Sequence, residues 1–563
     1  MNASRRGWRR ADARIVAVGV GAERVSGDIM SERKQGLIEH LIRERAAERP
    51  DQAWLLWQDE AISWADTLSN TQRVANGLLE QGVQPGDKVA IMMGNRPEFL
   101  WTHFAANFIG ASSVPINIAQ RGPSLVHILA DSGSSIVVVD GTLSDIVASV
   151  RKDTPSLSKA VVVDGKLSGG IDFNTLLKAG DGPLNVADIE GDASSAGTAM
   201  LYTSGTTGPP KGVVQKSSNA ASGFLPLILS LGVKAGETIY TSLPLFHGNA
   251  LLISTMGSIV LDTKLALGER FSASRMFSEC KRYNAVEFNA LGGMISILLK
   301  QPPSEKDRDH PVRVVLSAGC PADKWEEFEK RFGVRIVEFY GMVDAPGLLL
   351  NDTGKVGSMG KPIGECEFAV MDENSSRLEA GQVGELVFRH PSGQLSEYHN
   401  LPDATKSAWE GGWFHTGDLA MCDAEGYYYY RGRKKESIRR LGENISAWEI
   451  ETVVNSHPKV LESAAHPVPS ELGEDEVKIC VVPRPGETID PVELISYCEG
   501  KIARYAIPRF VEIMDELPKT GTQRVRYQEL KERGITAGTW DRLDDKGAQS
   551  PSVKMGSSAE DVH

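Results

Sequence analysis

The stretch that decides the fold spans residues 202–214, YTSGTTGPPKGVV, and follows the apolar run GTAML. Gly205 and Gly208 let backbone amides approach an anion closely, because glycine has no Cβ. Lys211 adds a positive charge, and the hydroxyl groups of four residues add donors, namely Thr203, Ser204, Thr206 and Thr207. The composition is typical of a loop that binds phosphate. Taken alone, it fits a surface loop rich in Gly and Thr equally well.

This stretch is not a Walker-type phosphate loop. That motif needs a glycine directly before its lysine and a Ser or Thr after it. Here Lys211 follows Pro210 and precedes Gly212. A different kind of phosphate site is therefore expected.

Length and composition limit the protein class. A chain of 563 residues is too long for one compact core, so at least two domains are expected. The hydrophobic fraction of 41% and charged fraction of 24% are those of a globular protein. No apolar run approaches the roughly 20 residues that span a bilayer, and a net charge of -13 argues against a nucleic-acid partner.

The six cysteines suggest neither a zinc site nor a disulfide framework, because they lie far apart and form no CxxC pair. A reducing cytoplasm fits this pattern best. Oligomeric state is not encoded in any motif.

Helical and strand patterns alternate along most of the chain. DKVAIMM, SSIVVVD and VRVVLSA read as buried strands, whereas SWADTLSNTQRVANGLLEQG and PADKWEEFEKRF read as helices. This alternation predicts an α/β fold with a large N-terminal domain of parallel-rich sheets flanked by helices. A smaller α+β domain is expected near the C-terminus, and residues 152–196 are expected to form surface connections.

The predicted organisation has four parts. Residues 1–33 are expected to be a disordered extension, 34–433 a large N-terminal domain, 434–533 a small C-terminal domain, and 534–563 a disordered tail.

Several further motifs follow the loop in order, and together they identify a resemblance. They are PLFHGNAL (244–251), SAGCP (317–321), YGMVD (340–344), GWFHTGD (412–418), GRKKESIRRLGENISAWEIE (432–451) and LPKTGTQR (517–524). From about residue 35 to 533 the chain resembles the adenylate-forming superfamily of acyl-CoA synthetases, adenylation domains and luciferases. Through RLGENISAWEIE it is similar to the carnitine/crotonobetaine and medium-chain acyl-CoA ligases.

The resemblance implies ATP, Mg²⁺ and coenzyme A as ligands, with a small carboxylic acid as substrate. It makes residues 34–433 the ATP- and acyl-binding domain and residues 434–533 a mobile C-terminal domain. The ATP- and AMP-binding residues implied are Thr203, Ser204, Gly205, Thr206, Thr207, Gly208, Lys211, Gly319, Cys320, Pro321, Tyr340, Gly341, Val343, Asp418, Arg433 and Arg439. Asp418 would accept hydrogen bonds from both ribose hydroxyls, since a carboxylate suits a vicinal diol. Asp344 would bind Mg²⁺. Dimers occur in the family, so a homodimer is an expectation by analogy alone.

The same resemblance assigns residues to the acyl and CoA sites. Asn249, Leu291, Gly292 and Gly293 would line the acyl pocket, and Gly442, Glu443 and Asn444 the pantetheine tunnel. His247 would gate or position groups at the thiol entrance. Lys435 falls where the family pivots its C-terminal domain, and it would equally suit an ordinary linker.

Two positions depart from the family pattern. Val343 stands where the family has a threonine, whose bond to the α-phosphate would be worth roughly 1.5–3 kcal/mol, or up to about a hundredfold in rate. Arg524 replaces the lysine that bridges the substrate carboxylate and ATP during adenylation. Arginine keeps the charge but grips oxyanions in a planar fork.

The sequence therefore predicts an ATP-dependent, AMP-forming acyl-CoA ligase. The alternatives are an adenylation enzyme that loads a separate carrier protein, and a non-catalytic nucleotide- or acyl-CoA-binding homologue that lost adenylation through Val343 and Arg524. The sequence does not specify the acid.

Overall fold

The computed structural model describes residues 36–182, 184, 199–203, 209–215, 224–434, 438–470, 473–519 and 525–544. The strands are β1 (Ala53–Trp57), β2 (Glu60–Ser63), β3 (Lys88–Met92), β4 (Ser112–Pro115), β5 (Ile136–Asp140), β6 (Lys159–Val163), β7 (Ile171–Asp172), β8 (Leu201–Thr203), β9 (Lys211–Gln215), β10 (Thr238–Thr241), β11 (Lys264–Leu267), β12 (Ala285–Leu291), β13 (Val314–Ala318), β14 (Arg335–Tyr340), β15 (Leu348–Asn351), β16 (Lys361–Ile363), β17 (Glu367–Met371), β18 (Val383–Arg389), β19 (Ser396–Tyr398), β20 (Phe414–Cys422), β21 (Tyr428–Arg433), β22 (Ile438–Arg440), β23 (Glu443–Ile445), β24 (Val460–Pro469), β25 (Asp475–Pro483), β26 (Phe510–Ile513) and β27 (Thr539–Asp541).

The described α-helices are α1 (Leu37–Glu48), α2 (Trp64–Glu80), α3 (Pro97–Phe108), α4 (Gly122–Ser132), α5 (Ser144–Val150), α6 (Phe173–Leu177), α7 (Leu225–Ser230), α8 (Met256–Leu261), α9 (Met276–Arg282), α10 (Gly292–Lys300), α11 (Ala322–Phe332), α12 (Pro402–Ala408), α13 (Ala447–Asn455), α14 (Pro491–Cys498) and α15 (Tyr527–Arg533). A π-helical segment, Asn249–Thr255, runs directly into α8. None of the helices in the described ranges is both long and apolar enough to cross a bilayer.

Two large sheets form the N-terminal part. One has nine strands in the order β16-β15-β14-β13-β12-β10-β11-β1-β2, and it is parallel from β1 through β14. The other has five parallel strands in the order β4-β3-β5-β6-β7. The smaller sheets are antiparallel, with the orders β17-β18-β20-β21 and β19-β9-β8.

The C-terminal part is a separate, smaller unit. It contains the hairpin β22-β23 and a mixed sheet of order β24-β25-β26-β27, with α13 and α14 packed on its core. The predicted α/β fold class, with a large parallel-rich N-terminal domain and a small C-terminal one, is confirmed.

The two large sheets share one core, which α2 and α3 help to fill. Trp54 of β1 stacks on Trp64 at the start of α2, with ring centroids 5.2 Å apart. Ser63 caps α2 by accepting a hydrogen bond of 3.0 Å from the amide of Asp66, whose carboxylate accepts in return from the amide of Ser63. These local signals explain why the predicted helix forms where it does.

The interval 152–196 differs from the prediction of surface connections. Residues 159–163, KAVVV, form β6, whose Ala160 and Val161 are fully buried between β5 and β7. The prediction missed this strand because its short run of β-branched residues lies between Ser- and Gly-rich flanks. Parallel sheets favour such runs. In the C-terminal part, α14 ends at Cys498, and Gly500 turns the chain after it with φ +75°.

The carboxyl edge of the nine-stranded sheet contains a close backbone approach. A Cβ on Gly292, after β12, would lie 2.0 Å from the carbonyl oxygen of Gly319, after β13. A Cβ on the neighbouring Gly293 would instead lie 3.0 Å from Oε1 of Glu474, the end of a flexible side chain.

We expect Gly292→Ala to destabilise the protein by about 1–3 kcal/mol, because backbone must move to relieve the contact. The matched control Gly293→Ala should cost less, because only a carboxylate has to rotate. Denaturant unfolding of both variants measures the difference. Equal losses of unfolding free energy would contradict the close approach.

Candidate active site at the carboxyl edge of the nine-stranded sheet

The turn that follows β13 is held by a buried carboxylate. Glu338 of β14 accepts hydrogen bonds from the amides of Gly319 and Cys320, the latter at 3.2 Å. Burial raises the pKa of Glu338 to about 8, although these amide bonds lower it. Gly319 has φ +83°, which favours glycine. The residues predicted to line one face of the adenine therefore form a fixed turn.

Tyr340 and Asp418 meet across two sheets. The Tyr340 hydroxyl, at the end of β14, donates to Oδ2 of Asp418 in β20 at 2.6 Å. Asp418 is only 2% exposed, and its backbone pairs in register with Arg433 of β21. The residues predicted to bind adenine and ribose are thus neighbours, as a nucleoside site requires.

The Asp344 carboxylate accepts hydrogen bonds from two hydroxyl groups. Thr203 Oγ1 lies 3.2 Å, and Tyr398 Oη 2.9 Å, from its Oδ1. Burial and the Asp344 carboxylate both raise the pKa of Tyr398, so its hydroxyl stays protonated as a donor. Lys211 Nζ lies 4.5 Å from the centroid of the Tyr398 ring, in a cation–π contact.

This cluster fits the predicted magnesium ligand. No group of three or more His, Cys, Asp or Glu residues that could hold a metal ion occurs within the described ranges. One carboxylate is nevertheless sufficient, because Mg²⁺ is commonly bound by one or two carboxylates together with waters and substrate phosphates. Asp344 is the residue that would hold the ion.

Lys434, where the chain leaves β21 towards the C-terminal unit, is hydrogen-bonded close to Asp418. The Lys434 amide donates to the carbonyl oxygen of Gly417 at 2.7 Å, and its Nζ lies 2.9 Å from Oε2 of Glu385. His415 contacts the same carboxylate at 3.1 Å. Although burial raises the pKa of Glu385, the bonds from His415 and Lys434 lower it to about 2.

The β22-β23 hairpin of the C-terminal unit reaches the same edge. Glu443 Oε1 lies 2.9 Å from Nε2 of His247, and a Cβ on Gly442 would lie 2.7 Å from Cδ1 of Leu291. Burial lowers the pKa of His247, but the Glu443 carboxylate raises it by more. The pKa of His247 therefore lies above its usual value. Arg439, in the same hairpin, is near enough to oppose this rise.

A second contact between the units lies beside α4. Glu449 of α13 is 7% exposed and packs against Ser124, whose hydroxyl lowers the pKa of the carboxyl slightly. Burial dominates and raises the pKa of Glu449 to about 7. Nearby, Asn117 Nδ2 donates to the Tyr505 hydroxyl at 3.1 Å.

The predicted acyl-pocket residues lie along β12 and the π-helical segment. Asn289 Nδ2 donates to Oδ1 of Asn249, which begins that segment. Val343 packs beside Gly248, where a Cβ would lie 3.2 Å from its Cγ2. The apolar side chain of Val343 therefore faces the start of the π-helical segment.

Some predicted residues cannot be placed. Residues 204–208, Lys435 and Arg524 lie outside the described residues, as do the side chains of Arg433 and Asn444. Pro321 follows the Gly319–Cys320 turn and precedes α11. Gly341 follows Tyr340, the last residue of β14.

Four residues at this edge were missed from the sequence. They are Glu338, Glu385, Tyr398 and Glu449. For Glu338 a usable signal existed, because strand alternation puts it on the same face as Tyr340. The other three depend on contacts with residues far away in the chain.

Comparison with known proteins identifies two matching families. The AMP-binding enzyme family matches residues 42–399, and the AMP-binding enzyme C-terminal domain matches residues 449–524. A crotonobetaine/carnitine–CoA ligase of Salmonella choleraesuis (strain SC-B67) is 29% identical over 493 residues, which cover 84% of this chain and 93% of the relative.

Two solved structures of o-succinylbenzoate CoA synthetase from Bacillus subtilis are also similar, each at 26% identity. A double mutant bound to the product analogue OSB-NCoA has a TM-score of 0.75, covering 88% of this chain and 98% of that one. The complex with the acyl-adenylate OSB-AMP has a TM-score of 0.61, covering 87% and 97%.

The family match covers more than half of the chain, and it agrees with the order of the motifs and the neighbouring Tyr340 and Asp418. The resemblance predicted from the sequence is confirmed. The chain belongs to the AMP-binding enzyme family, as an adenylate-forming enzyme of the acyl-CoA synthetase type.

Proposed function

We propose that the chain is an ATP-dependent acyl-CoA ligase that activates a small carboxylic acid as its acyl-AMP and transfers the acyl group to coenzyme A. The observation that carries this proposal is the hairpin contact. Gly442 and Glu443 of the C-terminal unit lie against Leu291 and His247, at the edge that also holds Tyr340 and Asp418. Nucleotide, acyl and thiol sites would converge there.

In the first half-reaction an oxygen of the substrate carboxylate attacks the α-phosphorus of ATP. The bond to pyrophosphate breaks, and pyrophosphate leaves. Tyr340 and Asp418 would orient the nucleoside, and Lys211 would offset charge on the outer phosphates. Mg²⁺, held by Asp344, would neutralise further phosphate charge. Arg524 is proposed to bridge the carboxylate and ATP.

In the second half-reaction the CoA sulfur attacks the acyl carbonyl carbon, the bond to AMP breaks, and the thiol proton is lost. Glu443 holds His247 by a hydrogen bond, so His247 is proposed to position groups at the thiol entrance. The higher TM-score against the synthetase bound to the CoA-product analogue, 0.75 against 0.61 for the adenylate complex, supports a thioester-forming arrangement.

Coenzyme A is preferred over a carrier protein as acceptor. The curated relative is named a CoA ligase, and it matches 84% of this chain. Its named acids are crotonobetaine and carnitine, and at 29% identity they suggest a short acid without fixing it.

The proposal is tested by measuring pyrophosphate release and acyl-CoA formation with ATP, Mg²⁺ and a panel of acids, with and without CoA. We expect acid-dependent pyrophosphate release, and a thioester only when CoA is present. Arg524→Lys tests the atypical position in parallel. If the wild-type protein binds ATP but neither protein turns over any acid, the ligase proposal is wrong.

Tyr398→Phe should impair adenylation, because the ring beneath Lys211 is kept while the bond to Asp344 is lost. We expect pyrophosphate release to fall by about tenfold, since a hydrogen bond to a charged group is worth roughly 1.5–3 kcal/mol, and the Mg²⁺ concentration for half-maximal rate to rise. Tyr429→Phe is the matched control, because that hydroxyl bonds Asp423 away from this edge. An unchanged Mg²⁺ dependence in Tyr398→Phe would contradict a positioning role.

The contact between the units should weaken as pH rises. Burial against α4 raises the pKa of Glu449 to about 7, so its neutral form favours this arrangement and its ionised form opposes it. Arg121, Lys501, Ser124, Glu443 and Tyr505 are the polar or charged groups around it. The arrangement is therefore fully favoured below the ordinary Glu pKa and is lost progressively as pH rises towards 7.

Interdomain energy transfer between fluorescent labels, measured from pH 5 to 8, checks this expectation. The ratio of closed to open protein should fall by up to about tenfold per pH unit between the ordinary Glu pKa and about 7, since one pKa unit corresponds to about 1.4 kcal/mol. Glu449→Gln should make the profile less steep and leave the part that His247 contributes, whereas the exposed Glu487→Gln should leave the profile unchanged. A wild-type profile that is flat, or that rises with pH, would exclude Glu449 as the sensor.

A further inference from the structure

A buried carboxylate stands on the face of β12 that carries the predicted acyl pocket. Glu287, Asn289 and Leu291 alternate onto one face of this strand. Leu291 lies at its carboxyl end beside Gly442, and Asn289 bonds Asn249. Glu287 is the next residue inward, about 13 Å from Leu291 at roughly 3.3 Å per residue.

The surroundings of Glu287 are apolar. It is 1% exposed, and within the described part of the chain neither of its carboxylate oxygens has a hydrogen-bond partner. Its register partner in β13 is Val314, which belongs to a cluster with Ile253 of the π-helical segment and Ile228 of α7. Segments of π-helix inside α-helices are frequent at functional sites.

Burying an ionised carboxyl group without a partner costs solvation free energy, so the neutral, protonated form is favoured. Burial raises the pKa of Glu287 well above its usual value, and the nearby backbone of Leu316 only partly opposes this. A core position would be served better by an apolar residue of similar size, because the backbone of Leu316 offsets only part of the cost of burying the carboxyl group. A group that pairs with the carboxylate when a ligand is present would account for its location.

We infer that Glu287 is a specificity-determining residue whose carboxylate pairs with an alkylammonium group on the far end of the carboxylic acid. This inference rests on the proposed ligase function and names its substrate class. The acid's carboxylate would lie at the level of Leu291, near the nucleotide, and its cationic end would lie towards Glu287. The apolar side chains of Val314 and Ile253 would contact the carbon atoms around the nitrogen.

Two cationic probes and one neutral probe test this inference. The cationic acids are an ω-amino acid and its trimethylammonio form, and the neutral one replaces the quaternary nitrogen by carbon at the same size. We expect kcat/KM for acyl-CoA formation to favour at least one cationic acid over the neutral isostere by roughly ten- to a hundredfold, which is the worth of one hydrogen bond between charged groups. The two cationic probes separate a primary from a quaternary ammonium.

Glu287→Gln should abolish this preference while keeping side-chain volume. Glu39→Gln is the control, because Glu39 is a buried carboxylate of α1 that already bonds Arg43. A second readout is proton release. Because burial favours the protonated form of Glu287, binding of the cationic acid should release protons from the wild-type protein and none from Glu287→Gln, measured by calorimetry in buffers of different ionisation enthalpy.

The outcomes separate the two proposals. If the wild-type protein forms acyl-CoA equally well from the neutral isostere, or if Glu287→Gln keeps the cationic preference, the inference is wrong and the ligase proposal stands. If no acid of either charge yields pyrophosphate or thioester, the ligase proposal itself fails. If Glu287→Gln does not fold, Glu287→Asp keeps the charge and should keep the cationic preference, and its loss of that preference would overturn the inference.

Discussion

The hydrogen bonds from the amides of Gly319 and Cys320 to the Glu338 carboxyl are the interaction on which the rest of the site depends. They join the ends of two adjacent parallel strands, β13 and β14, at the edge where ligands of open α/β sheets bind. Because the carbonyl of Gly319 in turn approaches Gly292, the same interaction sets the start of α10. Tyr340 ends β14 two residues after Glu338, so the position of its hydroxyl against Asp418 follows from the same strand. A single buried carboxyl group thus fixes the relative positions of the Gly319–Cys320 turn, Tyr340 with its partner Asp418, and Gly292 at the start of α10.

The C-terminal unit docks onto this fixed edge through groups whose charge varies. His247 and Glu443 form an ion pair only when the imidazole is protonated, and the raised pKa of His247 favours that form. Glu449, by contrast, favours this arrangement when neutral. Both contacts therefore weaken as pH rises, for different reasons: the first loses a positive charge, and the second gains a buried negative one. A two-step ligase needs its domains to separate between steps, and contacts of this kind hold an arrangement without making it permanent.

The sequence predicted those parts of the molecule whose determinants are local. β3 and β5 were recognisable as short apolar runs, and α2 carries its own cap at Ser63 and its own stop near Gly82. The run that became β6 was missed, because it is short and lies within polar flanks. At the site, the motifs supplied Asp418, Tyr340 and Asp344, but not their supports. Tyr398 lies 54 residues from Asp344, and Glu443 lies 196 residues from His247, so these pairs exist only after the sheets have assembled.

The departure from the family pattern at Val343 has a physical consequence beyond the loss of one hydroxyl group. Val343 offers no hydroxyl to an α-phosphate, yet it packs against Gly248, one residue after His247, and so links the nucleotide edge to the π-helical segment. The same segment supplies Asn249 to Asn289 and Ile253 to the apolar cluster around Glu287. Under the proposed function, the apolar residue at position 343 would therefore change the mouth of the proposed acyl pocket as well as the proposed phosphate site. In a pocket whose inner end carries a carboxyl group, an apolar mouth separates the two charged ends of a cationic acid: the end that reacts with ATP, and the end that pairs with Glu287.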